Sequence, residues 1–124
     1  GHAKDYTEMQ WRIMQQKKPK DYVIATGHAY SVKQFVNIAA DYLGMKILWS
    51  GKGLNEIGYT FNKNKKEILI KIDKKYFRPN EVEYLKGDAS KALKDLKFKP
   101  KYSFKALVED MIDSDLLEAK KELE

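Results

Sequence analysis

The sequence predicts a mixed α/β fold with about four helices and three to four short strands. Apolar residues recur at helical spacing in four stretches, and short apolar runs stand between turn-forming residues. One such run is followed directly by a loop and a helix, which is the order of an α/β unit. The chain has 124 residues, 43% of them hydrophobic, so residues 1–124 are expected to form a single domain with a buried core.

Capping residues and chain breaks define the first helix and the first strand. Asp5, with Glu8 three residues later, has the spacing of a helix N-cap, and a helix is predicted from there to about Gln16. A Lys-Lys-Pro-Lys segment then interrupts the helical spacing. The apolar run 22–26, which ends at Gly27, predicts a short strand buried on both faces.

A second helix follows this strand after a short loop. Ser31 and Gln34 have capping-box spacing, and apolar residues mark one helical face as far as Leu43. Gly44 is typical of the residue that follows a helix. The apolar run 47–49 then predicts a second strand.

The second half of the chain shows the same kinds of signal. Residues 51–58 are predicted as a glycine-rich loop and residues 62–67 as an exposed turn. Alternating residues over 68–72 predict a half-buried strand. A third helix is predicted to open at residues 87–88, and Ser103 is the predicted cap of a fourth, whose acidic end is expected to fray.

The charge pattern argues against a nucleic-acid partner. Lys and Arg total 24 against 18 acidic residues, a net charge of +6, and 22 of the 24 are lysines. Surfaces that bind phosphates or bases favour arginine, so a lysine excess is more typical of solubility. No helix-turn-helix, RNP or zinc-finger pattern is present, and we expect no nucleic-acid partner. The charge is also uneven, because residues 109–124 hold seven acids and two lysines.

Composition predicts a soluble, cytoplasmic protein without a metal site. No apolar run approaches the roughly 20 residues that span a membrane, so no membrane partner is expected, and no signal segment opens the chain. The chain has no cysteine, which excludes disulfides and cysteine zinc sites. The only two histidines, His2 and His28, do not form a ligand pair at helical spacing.

Two apparent motifs carry little information. Residues 51–53 (Gly-Lys-Gly) match neither the dinucleotide fingerprint nor a P-loop, so a turn is the simpler interpretation. Tyr-x-x-x-Lys, a catalytic pair in some dehydrogenases, occurs twice, but chance predicts roughly 1.4 such pairs in a chain this rich in both residues. These pairs are Tyr42 with Lys46 and Tyr59 with Lys63. We therefore assign no catalytic residue.

Arg78 and Glu81 form the one candidate binding pair. They flank Pro79, and Arg78 is one of only two arginines in the chain. Proline fixes its own backbone and biases Arg78 toward an extended conformation. A guanidinium can bind a diphosphate through paired hydrogen bonds, and a carboxylate three residues later can accept hydrogen bonds from ribose hydroxyls. A structural salt bridge beside a turn is the alternative interpretation.

Short segments along nearly the whole chain resemble, in order and spacing, the C-terminal part of the GDP-mannose 4,6-dehydratase family. These enzymes are extended short-chain dehydrogenases/reductases. Each segment is weak alone, and their common order makes the resemblance specific. The segments are Gly1-His2-Ala3-Lys4-Asp5-Tyr6, residues 21–27, Ser31-Val32 with Phe35-Val36, Trp49 with Gly51-Lys52-Gly53, Tyr76-Phe77-Arg78-Pro79 with Glu81-Val82, Gly87-Asp88 with Lys91-Ala92, and Lys99-Pro100.

The resemblance implies a role on the substrate side of such an enzyme. The family converts GDP-mannose to GDP-4-keto-6-deoxymannose on the route to GDP-fucose, with NADP and the catalytic residues in an N-terminal Rossmann domain. This chain does not match that domain, so it is expected to be inactive alone and to bind no cofactor. Arg78 would meet the diphosphate of a GDP-sugar, and Glu81 the nucleotide ribose. A related epimerase or dehydratase of another sugar specificity, and a basic nucleic-acid-binding module, are the alternatives.

The resemblance also bears on subunit contacts. The family implies a homodimer or tetramer. Without the Rossmann sheet, the predicted strand 22–26 would have an unpaired edge, and self-association through it is a further hypothesis. The chain departs from the family pattern at four positions. All of them except Asn80 are expected to affect loop or subunit contacts. These positions are His28, Ser50, Tyr59 and Asn80.

Overall fold

The computed structural model describes residues 1–78 and 84–123, and it divides the chain into two compact units. The first unit comprises residues 1–31 and 84–124, and the second comprises residues 32–83. In sequence, the second unit is therefore an insertion within the first. The described residues contain four α-helices and three strands, which confirms the predicted mixed α/β class.

The first unit contains three helices and a small apolar core. Helices α1 and α3 contact each other, and residues on both contribute to the core. The spacing of apolar residues that predicted these helices also places their buried side chains on one face. The helices are α1 (Ala3–Met14), α3 (Ser90–Leu96) and α4 (Phe104–Glu122), and the buried core is Met9, Ala92, Leu96 and Phe98.

Helix α1 begins earlier than predicted, and Asp5 is not its cap. His2 is the N-cap, and its Nδ1 accepts a hydrogen bond from the backbone N–H of Lys4 at 3.0 Å. Asp5 lies in the first turn instead, where its buried carboxylate accepts hydrogen bonds from the backbone N–H groups of Lys101 and Tyr102 at 3.1 and 3.2 Å. The capping prediction is wrong because these partners lie far along the chain.

The predicted strand over residues 22–26 is also wrong. Within the described residues this segment belongs to no sheet, although Tyr22 and Ile24 pack against the core of the first unit. An apolar run forms a strand only where a second strand satisfies its backbone groups. The segment runs close to Gly87, where an added Cβ would lie 2.6 Å from the Cβ of Ala25. The segment has no strand partner among the described residues, and self-association through it stays a hypothesis.

The second unit is a three-stranded antiparallel sheet with one helix. The sheet has the order β1-β2-β3, and Gly44, with φ of +70°, follows the helix as predicted. The predicted helix over 31–43 and the strand over 47–49 are confirmed to within a residue. The elements are α2 (Val32–Tyr42), β1 (Leu48–Ser50), β2 (Ile57–Asn62) and β3 (Lys65–Lys71).

The β2–β3 hairpin is tighter and longer than the sequence suggested. Its turn has only two central residues, Lys63 and Asn64, with φ of 47° and 63°. Positive φ at both positions is the pattern of a type I′ turn, whose twist matches the flanking strands. The predicted turn at 62–67 therefore belongs mostly to the two strands, and β2 begins inside the predicted loop at 51–58.

The strand register separates two faces of this sheet. Residues paired across an antiparallel ladder point to the same face. Trp49 pairs with Gly58, and its indole N–H donates to Asn37 of α2 at 2.9 Å, so this face lies against the helix. We call the opposite face the outer sheet face, and it carries Leu48, Tyr59, Phe61, Lys66, Ile68 and Lys71.

Helix α4 is longer than expected. Ser103 is its N-cap, as predicted, and its hydroxyl oxygen accepts a hydrogen bond from the N–H of Ala106 at 3.1 Å. The helix continues through its acidic part to Glu122. Val108 is fully buried, whereas every residue from 113 to 123 is exposed. The first half of α4 thus packs in the first unit, while the second half remains uncovered.

Candidate functional site

Arg78 lies just beyond a short 3₁₀ turn in the second unit. The turn spans Lys74–Tyr76 and is capped by Asp73, whose carboxylate accepts a hydrogen bond from the N–H of Lys75 at 2.9 Å. Arg78 is exposed, as are both turn lysines. Since the one acid of residues 71–78 is engaged in the cap, this segment presents a local excess of positive charge to solvent, which suits an anionic ligand.

Glu81 lies outside the described residues, as does Asn80. The structure therefore places one member of the predicted pair and not the other. The proposed contacts of Arg78 with a diphosphate and of Glu81 with a ribose remain predictions. Of the other departures from the family pattern, Ser50 and Tyr59 lie in paired strands on the same side of the sheet, because Ser50 pairs with Ile57 and Tyr59 lies two residues farther along β2.

A cleft of about 480 Å³ in the first unit brings together two segments that the sequence singled out. Residues 25–27 form one wall and residues 86–90 the other. Asp88 belongs to this lining, and the N–H of Ser90 donates to its carboxylate at 2.9 Å. This hydrogen bond lowers the pKa of Asp88, so the group is an anion that orders the start of α3. Its position explains why α3 begins later than the predicted residues 87–88.

A second cleft in the first unit, of about 610 Å³, is lined largely by rings. His28 and Tyr30 lie in its wall, and the ring of Tyr30 stacks on Phe104 with centroids 4.0 Å apart. Lys99 also lines it, and among the described residues the lining contains no carboxylate. A cleft with these groups can bind an apolar or anionic molecule, and the part of its lining that the structure describes holds no pair of groups arranged for acid–base catalysis.

The glycine-rich loop at residues 51–53 is not a dinucleotide-binding turn. It connects two antiparallel strands through a 3₁₀ turn at Gly53–Asn55, whereas the fingerprint joins a strand to a long helix of a parallel unit. Gly51 has φ of +86°, and an added Cβ would lie 2.2 Å from the carbonyl oxygen of Asn55. Glycine is needed here to close the loop, and the loop offers no cradle for NADP.

Metal binding and membrane insertion find no support in the part of the chain that is described. Within residues 1–78 and 84–123, no group of three or more His, Asp or Glu side chains could hold a metal ion. No helix among those residues is both long and apolar enough to cross a membrane.

His2 takes part in a polar contact that the sequence did not reveal. Its Nε2 lies 2.9 Å from the carboxylate of Asp110 on α4, and its ring stacks on Tyr102 with centroids 4.0 Å apart. Because Nδ1 accepts from the N–H of Lys4, Nε2 carries the proton and donates to Asp110. This bond lowers the pKa of Asp110. The contact joins α1 to α4, and no local pattern could have predicted a partner 108 residues away.

Comparison with known proteins identifies the family. The model of a family described as GDP-mannose 4,6 dehydratase matches residues 1–111. The chain belongs to the GDP-mannose 4,6-dehydratase family. The resemblance noted in the sequence is thereby confirmed.

Named relatives in this family come from animals and bacteria. The chain is 45% identical over 116 residues to GDP-mannose 4,6 dehydratase of Drosophila melanogaster, covering 94% of this chain and 29% of the relative. It is 42% identical to the Homo sapiens protein of that name, and the match covers 94% of this chain and 31% of the relative. It is 41% identical to GDP-mannose 4,6-dehydratase of Yersinia enterocolitica, and this match covers 97% of this chain and 34% of the relative. The chain spans about a third of the length of the GDP-mannose 4,6-dehydratases it matches.

Proposed function

We propose that residues 1–124 form the substrate-binding portion of a GDP-mannose 4,6-dehydratase, which converts GDP-mannose to GDP-4-keto-6-deoxymannose. The family match over residues 1–111 is the observation that carries this proposal. The chain spans about a third of its relatives, and we propose that the catalytic residues lie in the remainder. This portion alone is expected to be inactive, and the whole enzyme is expected to work in the cytoplasm as a dimer or tetramer.

Arg78 is the residue we propose for the diphosphate. It is exposed, and it follows a turn that carries two further exposed lysines. A guanidinium provides two parallel N–H donors that match phosphate oxygens, whereas the lysines act as point charges around it. Glu81 is the proposed acceptor for the ribose hydroxyls. Together they would fix the nucleotide end of the substrate and leave the hexose free to reach the catalytic part.

NADP is proposed to bind in the part of the enzyme that this chain does not match. The one glycine-rich candidate in the chain, residues 51–53, closes a turn between antiparallel strands and does not fit a dinucleotide. The cofactor would take a hydride from the sugar and return it. The residues of this chain would bind and orient the substrate for that step.

Titration calorimetry with GDP tests the site. We expect saturable binding to the 124-residue chain, and Arg78→Ala is expected to weaken it roughly 10- to 100-fold through loss of charge-assisted hydrogen bonds. Arg78→Lys keeps the charge but loses the paired donors, so its affinity for GDP is expected to lie between those of the unmodified chain and Arg78→Ala. Glu81→Gln is expected to weaken GDP binding while leaving inorganic pyrophosphate binding unchanged.

Lys46→Ala is the matched control for charge, because it removes one exposed cation elsewhere in the second unit. It is expected to bind GDP as the unmodified chain does. Equal affinity of the Arg78→Ala protein and this control would contradict the role of Arg78. A folded chain that binds no GDP would show that this portion does not hold the nucleotide by itself.

A further inference from the structure

Two exposed surfaces of this chain are complementary to each other, and neither includes Arg78 or Glu81. One is the outer sheet face of the second unit, and the other is the C-terminal half of α4, residues 113–122. We propose that the C-terminal half of α4 in one copy of the chain binds the outer sheet face of a second copy. This goes beyond the proposed function and does not depend on it.

The outer sheet face presents apolar rings between two cations. Phe61 is 57% exposed and Ile68 44% exposed, and the edge of one ring meets the face of the other in the Tyr59–Phe61 pair, with centroids 5.7 Å apart. The ammonium of Lys66 lies 4.0 Å from the centroid of the Tyr59 ring. Lys71 lies on the same face, opposite Ile57. An exposed apolar patch bordered by charge is typical of an interaction surface.

Helix α4 carries an apolar stripe past the end of its supporting core. Val108, Ile112 and Leu116 follow one another at four-residue spacing, so they lie on one side of the helix. Val108 is fully buried, whereas Leu116 is 43% exposed and its neighbour Leu117 is 60% exposed. Most helices in proteins are stabilised by packing of their apolar face, so these uncovered turns indicate a missing partner.

Charge and length both favour the pairing of these two surfaces. Asp115 and Glu118, which adjoin the two leucines, are exposed and opposite in sign to Lys66 and Lys71. The ten residues of the uncovered helix extend about 15 Å, and the six residues of β2 extend about 20 Å, so one can lie along the other. Charge complementarity of this kind selects the partner and its orientation. Because every copy carries both surfaces, a second copy suffices as the partner.

Sedimentation equilibrium over a dilution series tests the proposal. The unmodified chain is expected to exceed the monomer mass of 14.5 kDa at high concentration and to dissociate on dilution or with added salt. The sheet variant Lys66→Glu/Lys71→Glu and the helix variant Asp115→Lys/Glu118→Lys each place like charges in contact. Each is expected to weaken self-association roughly tenfold or more. An equimolar mixture of the two variants is expected to associate again, because the sheet of one then matches the helix of the other.

The variant Lys17→Glu/Lys18→Glu serves as the control, since it reverses two exposed lysines outside both surfaces. It is expected to associate as the unmodified chain does, and circular dichroism checks that all variants are folded. A monomer mass at every concentration would overturn the proposal. This holds also if the mass is monomeric because α4 binds the sheet of its own chain. Failure of the mixed variants to associate would overturn it as well.

Discussion

Asp5 and His2 join the start of α1 to segments that lie far along the chain. The buried carboxylate of Asp5, only 4% exposed, accepts backbone hydrogen bonds from Lys101 and Tyr102. His2 donates to Asp110 on α4 while it caps α1. These two side chains therefore connect the start of α1 to residues 101–102 and to α4.

Replacement of Asp5 by alanine should be costly. The partly buried N–H groups of Lys101 and Tyr102 would lose a charged acceptor, and a hydrogen bond to a charged group contributes about 1.5–3 kcal/mol. We expect chemical denaturation to show a loss of that size in the free energy of unfolding. Asp41→Ala, at an exposed position of α2, should change it by about 0.5 kcal/mol or less. Equal losses in the two variants would contradict this role of Asp5.

Glu8 predicts how stability depends on pH. Hydrogen bonds from Lys101 and Arg12 hold the pKa of Glu8 below its ordinary value of 4.5. A carboxyl with a lowered pKa in the folded state stabilises the protein above its unfolded pKa, and this contribution disappears as the pH falls through the folded pKa. Thermal unfolding should therefore show a falling melting temperature on acidification below about pH 4.5. Glu8→Gln should show a shallower fall, and an unchanged slope would count against the assignment.

At the scale of elements, the contact between residues 22–26 and the segment before α3 depends on a glycine. An added Cβ at Gly87 would lie 2.6 Å from the Cβ of Ala25 and 3.3 Å from a methyl carbon of Val23. Neither backbone can yield without separating the two segments. Residues 22–26 have no sheet partner among the described residues, so this packing, together with the hydrogen bond from the Tyr22 hydroxyl to Asp95 of α3, holds them against the core.

Gly87→Ala should therefore destabilise the first unit by about 1–3 kcal/mol, as overpacked sites do. The compensating variant Ala25→Gly/Gly87→Ala returns the space and should recover most of the loss, measured by urea denaturation. If the double variant were less stable than Gly87→Ala, overpacking would not be the cause.

Elements with a one-sided apolar pattern were predictable from the sequence, and those that depend on a distant partner were not. Helix α2 was predicted to within a residue because its apolar spacing, cap signal and Gly44 all agree. Residues 22–26 were predicted as a strand from their apolar content. That content does not reveal whether a second strand is available to pair with them. Strand β2 was not predicted at all, because it follows a glycine-rich segment without a break and its last residue was assigned to a turn. The candidate Arg78 was found from its rarity and its proline neighbour, and its ligand remains a prediction.

On the scale of the whole molecule, one unit is continuous in sequence and the other is formed from two separate segments. The second unit, residues 32–83, consists of contacts between neighbours in sequence, chiefly the β2–β3 hairpin. The first unit joins residues 1–31 to residues 84–124. Local contacts form quickly, whereas contacts between distant segments must first close a long loop. The hairpin is therefore expected to gain amide protection before α1 does in pulsed hydrogen exchange, and the reverse order would contradict this.

The split of the first unit also has a consequence during synthesis. Met9 on α1 has its core partners at Leu96 and Phe98, which a ribosome adds much later. At roughly 5–20 residues per second, α1 waits on the order of 4 to 18 seconds for them. Throughout that interval the apolar face of α1 lacks these core partners and is accessible to a chaperone.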